Sequence, residues 1–143
     1  DLSGADLTGA VFTDAKLDGS DLSRANITEA VLERTSMKNC FFLGADIRKA
    51  DFTQANLEKS DLSGAKLAGA TLSQANLNGA NLQRTDLENS DMTKTDLRNS
   101  NLAGAKLAYA IFKETNLTDA NLNGADLSHA DLAGALGYKQ KSK

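Results

Sequence analysis

The sequence predicts an all-β solenoid, a chain wound into stacked square coils of twenty residues. Three observations carry that prediction. A large apolar residue occupies every fifth position from Leu2 to Leu132, 27 positions with no insertion. Three residues after each comes a small one, from Ala5 to Ala135, with Ser20, Thr35 and Cys40 among them. Proline is absent, although average usage of about 5% predicts roughly seven. Backbone N–H groups are therefore needed along nearly the whole chain. A repeat this strict decides the architecture before any other feature is weighed.

A period of five suits neither ordinary secondary structure. On an α-helix, five steps advance the apolar position by about 140°, so no single face becomes apolar. On a flat strand, an odd period throws successive leucines to opposite faces. The pattern closes only if the chain turns a corner in every repeat, so that each central residue points to a common axis. Four right-angle corners give twenty residues per coil. Departures from the repeat support that number. Phe12, Phe52 and Phe112 are separated by multiples of twenty, as are Val11, Val31 and Ile111, and Thr35, Thr95 and Thr115; Phe42 and Thr85 fall out of step.

Read as Ala-(Asp/Asn)-Leu-X-X, segments such as Ala5-Asp6-Leu7-Thr8-Gly9, Ala75-Asn76-Leu77-Asn78-Gly79 and Ala125-Asp126-Leu127-Ser128-His129 resemble the pentapeptide-repeat family. The resemblance covers residues 1–135. It implies a right-handed quadrilateral parallel β-helix of about 27 pentapeptides in nearly seven coils, with central and small residues inward and the other three positions outward. At a β spacing of about 4.8 Å the coils make a rod of roughly 32 Å.

Each part of the pentad then has a physical role. Ten of the eleven glycines lie two residues after the central one, where a type II corner requires φ > 0. Corners without glycine, such as Arg24, Lys49 and Gln74, are expected to use a different turn. Asp and Asn before the central residue can bond their own backbone at the corner. Stacked asparagines such as Asn81, Asn101 and Asn121 can ladder from coil to coil. The chain divides into the repeat, residues 1–135, and a basic C-terminal tail, residues 136–143. The abrupt start on Asp1 inside a repeat leads to the expectation of a preceding segment, and uncovered coil ends invite capping or self-association.

The chemistry-bearing residues serve the repeat. Serines fill small inward positions or solvated corners, aspartates recur for turns, and no catalytic constellation is found. His129, above Tyr109 by the twenty-residue rule, lacks a second His or Cys for a metal site. Cys40 fills an inward slot as a buried thiol. EF-hand spacing is absent, and the glycines do not form a phosphate loop. An interior filled by Leu and Ala leaves no cleft of ligand size. No metal and no cofactor is expected.

Charge sorts by face. The Leu2 face carries three acids and two bases, the Leu7 face six and four, the Phe12 face six and three, and the Leu17 face four and four. The repeat sums to −6, and three tail lysines bring the chain to −3. No face is basic, which argues against nucleic-acid binding. No stretch approaches the roughly 18 consecutive apolar residues of a membrane helix.

The unusual patch is Phe41 and Leu43, outward where neighbouring coils carry Asp21, Asp61, Ser23 and Ser63. An exposed Phe beside Leu can anchor a partner. Val11, Val31 and Ile111 form a second candidate on the Phe12 face. The reading is a non-catalytic solenoid acting as a rigid protein-interaction scaffold. It would meet an unidentified protein partner or self-associate through its β-helix ends. The resemblance supplies an alternative, a DNA mimic that binds a type II topoisomerase (gyrase). The repeat's six net negatives compare poorly with the roughly 19 phosphate charges on 32 Å of duplex. The compartment stays open: cytoplasm, thylakoid lumen or periplasm after signal-peptide removal, or secretion as an effector.

Overall fold

A computed structural model describes residues 1–138. The chain is a right-handed quadrilateral parallel β-helix. Residues twenty apart pair in parallel along every face, from Asp6 with Asn26 to Asn116 with Leu136. The expected coil length is therefore observed, and each corner lies above its counterpart.

One pentad accounts for all five of its backbone donors. Leu62 N–H donates up to Asn81 O at 2.8 Å and Gly64 N–H to Gln83 O at 3.0 Å. Asp61 N–H donates down to Cys40 O at 2.9 Å, and Ala65 N–H closes the turn to Leu62 O at 3.0 Å. The fifth, Ser63 N–H, donates to Asp61 Oδ1 at 2.9 Å. Three bonds join coils and two make the corner, so a proline at any of these positions deletes a bond. The Asx bond recurs wherever Asp or Asn precedes the central residue, as at Asn76–Asn78 and Asp126–Ser128.

The corners correct one expectation. Arg24, Lys49 and Gln74 do not use a different turn; their φ values are 58°, 58° and 59°, in the same left-handed region as the glycines. The cause is the coil-to-coil ladder. The N–H at this position must point along the rod, as Arg24 N–H does to Leu43 O at 3.0 Å, so every corner is forced into one geometry. Their side chains face solvent and meet only the intrinsic cost of that conformation, about 1–2 kcal/mol.

The central residues fill the axis. Leu22 through Leu117 are buried, whereas Leu2, Leu7, Phe12 and Leu17 at one end and Leu122, Leu127 and Leu132 at the other are partly exposed. Inward hydroxyls bond within the core: Thr35 Oγ1 donates to Phe12 O at 2.7 Å, and Thr95 Oγ1 to Leu72 O at 2.7 Å. Among the described residues no buried side-chain polar atom lacks a partner. Asparagine ladders form in part, with Asn121 Nδ2 donating to Asn101 Oδ1 at 3.1 Å and Asn81 Nδ2 to Asp61 Oδ1 at 3.1 Å. Leu136 still pairs with Asn116. Residues 139–143 of the expected basic tail lie outside the described residues.

Candidate functional site

Phe41 and Leu43 owe their outward placement to the pentad: Phe42 takes the central inward position and is fully buried. Phe41 is 51% exposed and Leu43 55%. Phe41 is paired between Asp21 and Asp61, so an aromatic ring interrupts a column of carboxylates. The substitution also changes the backbone. With no Asp or Asn at position 41, Leu43 N–H loses the cap that Ser23 and Ser63 receive from Asp21 and Asp61. At the preceding pentad Cys40 N–H donates to Ser60 Oγ at 3.1 Å, and that hydroxyl donates to Met37 O at 2.6 Å. A side-chain hydroxyl thus stands in for the direct turn bond. Beside Leu43 lies a groove of about 380 Å³ lined by Ser3, Gly4, Asp21, Ser23 and Arg24.

The second candidate is split. Val11 is 71% exposed and pairs with Val31, which is half-buried. Ile111, also half-buried, lies between Asp91 and Asp131, four coils beyond Val31. Val11 and Val31 therefore form one small patch, and Ile111 is no part of it. That patch occupies the face opposite Phe41.

Other residues stand as their positions dictate. Tyr109 and His129 stack with ring centroids 4.8 Å apart and planes 12° from parallel. The Cys40 thiol donates to Leu17 O at 2.9 Å, and burial pushes its pKa up, which keeps it protonated. Among the described residues no cluster of His, Cys, Asp or Glu could hold a metal ion.

Carboxylates are held below their ordinary range by local hydrogen bonds. Thr8 does this for Asp6, Ser23 for Asp21 and Ser128 for Asp126. The guanidinium groups of Arg48 and Arg98 do so for Asp46 and Asp96. These are turn carboxylates performing corner chemistry.

The absence of any cleft needs correcting. An open groove of about 550 Å³ runs along one corner, lined by Thr28, Glu29, Arg48, Lys49, Ala68, Gly69 and Asn89. It exists because Ala68 and Gly69 present almost no side chain between bulkier coils. The signal was legible as a small pair in two outward columns, but only once the columns were laid side by side.

A family model described as pentapeptide repeats matches in eight copies, over residues 1–28, 25–64, 60–99 and 100–136. Among solved structures, the chain is 33% identical to HetL, a pentapeptide repeat protein involved in heterocyst differentiation regulation from the cyanobacterium Nostoc sp. strain PCC 7120. That likeness covers 96% of this chain and 68% of HetL, with a TM-score of 0.57. A pentapeptide repeat protein from the Arabidopsis thaliana thylakoid lumen is 31% identical over 75% of this chain and 68% of that one, with a TM-score of 0.51. The plasmid-mediated fluoroquinolone resistance protein QnrB1 is 22% identical over 87% of this chain and 72% of its own, with a TM-score of 0.36, too distant to carry function. Among curated proteins no match is found. No helix among the described residues is long and apolar enough to cross a membrane.

Proposed function

The chain belongs to the pentapeptide-repeat family, and from that premise we propose that it is a non-catalytic scaffold, a rigid rod whose Phe41–Leu43 patch anchors a protein partner. One observation carries this reading. Phe41 is 51% exposed at a position where the coils on either side place Asp21 and Asp61. An outward Phe contributes nothing to the core, and aromatic side chains are favoured anchors at interfaces. The rod is suited to the task, since its interior is filled and its backbone donors are used between coils. Val11 and Val31 offer a smaller second contact on the opposite face.

The test is quantitative capture from extracts of cells that make the protein, with wild-type and Phe41→Ser chains immobilised in equal amounts. A partner retained at near-stoichiometric level by the wild type should be lost with Phe41→Ser, while circular dichroism shows the β-helix intact. Equal retention by both chains would contradict the Phe41 assignment. The same pair of proteins separates the rival reading. No inhibition of gyrase supercoiling is expected at about micromolar concentration, at low or physiological salt. Potent inhibition that survives Phe41→Ser and weakens as salt rises would instead favour a DNA mimic acting through carboxylates such as Asp51, Asp91 and Asp131.

A further inference from the structure

The Leu7 face has an order that the fold does not require. Its outward column before the central residue runs Asp6, Asn26, Asp46, Lys66, Asp86, Lys106 and Asp126, each paired with the next coil. From Asp46 onward the charge alternates at every step. Yet among the described residues Lys66 and Lys106 form no ion pair, and the one pair on this face is Arg48 with Asp46 at 2.7 Å. Both lysines are exposed.

An alternating column is complementary to its own reverse. We propose that two copies of this chain dock antiparallel through the Leu7 face, about a twofold axis passing between the coils of Lys66 and Asp86. That operation places Lys66 against the partner's Asp86, and Asp46 against the partner's Lys106, each contact occurring twice. The next outward column matches in size under the same axis. Arg48 meets the partner's Ala108, and Glu88 meets the partner's Ala68. The corner groove of about 550 Å³ over Ala68 and Gly69 is the hollow that receives the partner's Glu88 and Asn89. Lys49, on its rim, faces the partner's Tyr109, which is 57% exposed.

The area suffices for a real but polar interface. The molecule exposes 7119 Å², and one side of a four-sided rod carries about a quarter of it. Covering about half of that side on each copy buries on the order of the 1,600 Å² of a standard interface. This proposal is independent of the Phe41 patch, which lies on another face.

Sedimentation velocity of the full chain at rising protein concentration tests it. The expected result is a concentration-dependent dimer at about 50 mM salt that dissociates at several-fold higher salt. Lys66→Asp should give a monomer, and adding Asp86→Lys should restore the dimer. Lys66→Asp also sets three carboxylates on successive coils, at positions 46, 66 and 86, so Ala108→Lys provides a second disruption that leaves the column intact; it places a cation against the partner's Arg48. Under oxidation, Thr28→Cys combined with Ser128→Cys should yield a covalent dimer, and neither substitution alone should. A monomer at every concentration in low salt, or a dimer indifferent to both Lys66→Asp and Ala108→Lys, overturns the proposal.

Discussion

Gln74 holds φ at 59° with its amide N–H donating to Thr93 O at 2.9 Å, while Gly64 holds φ at 66° with a donor bond to Gln83 O at 3.0 Å. One backbone geometry is thus served by two residue types, and the difference between them is intrinsic strain. Gln74→Gly should stabilise the protein by up to about 1 kcal/mol, because relief of left-handed strain exceeds the added chain entropy. A Cβ at Gly64 would meet nothing within 4 Å, so Gly64→Ala should cost only about 1 kcal/mol. Denaturant unfolding of both variants checks the pair. Inward positions behave differently. Leu77 is fully buried, and Leu77→Asp should cost more than about 4 kcal/mol by burying an unpaired charge. A small effect at Leu77 would mean the side chain does not face the axis.

The pentad is the element of this fold, and its Asp or Asn closes the corner. Asp61 Oδ1 accepts from Ser63 N–H at 2.9 Å and from Asn81 Nδ2 at 3.1 Å. Asp61→Ala should therefore lower stability by about 1 kcal/mol, and Asp61→Asn by less, since the amide oxygen can still accept. The same bonds set the acid response. Turn carboxylates such as Asp6, Asp21 and Asp126 lie below the ordinary value of 3.8 in the folded chain. A lowered folded value stabilises fully above the unfolded pKa, and that share is lost as pH falls through the folded one. A titration followed by circular dichroism should show weakening below about pH 4 and little change from there to neutrality. Loss of stability on raising pH from 4 to 7 would contradict this sign. Asp96→Asn should remove part of the response, since Arg98 holds that carboxyl down.

The inward pattern was legible because burial permits only Leu, Phe, Ile or Met at one position and small residues at another. The corner Asx bonds were legible for a similar reason: Asp and Asn are the residues that can bond a backbone N–H two positions on. Corner conformation at Arg24 and Lys49 was not, since local propensity disfavours positive φ there and the stacked ladder overrides it. The candidate site was legible as an anomaly, an apolar pair at Phe41 and Leu43 in a polar column. Its partner was not, because an exposed anchor records only one side of a contact. Ile111 was misleading for a geometric reason: sharing a column with Val31 says nothing of adjacency when four coils intervene.

Across the whole molecule, the interior specifies the rod and the outward deviations distinguish one rod from another. Phe41→Ser should therefore shift the unfolding midpoint little, by no more than about 0.5 kcal/mol equivalent. Ion pairs such as Arg34–Asp14 at 2.7 Å are exposed and add little. Every placement of Phe41, of the Val11–Val31 patch and of the alternating Leu7 column depends on twenty residues per coil. Ser23 and Asn123 lie in one outward column five coils apart, and Cys40 is buried and free. Spin labels on Ser23→Cys and Asn123→Cys, their separation measured by pulsed dipolar spectroscopy, test that number directly. Twenty residues per coil predicts a single distribution near about 24 Å, five β spacings, broadened only by the label arms. A broad distribution, or one centred more than two spacings away from that value, would contradict it.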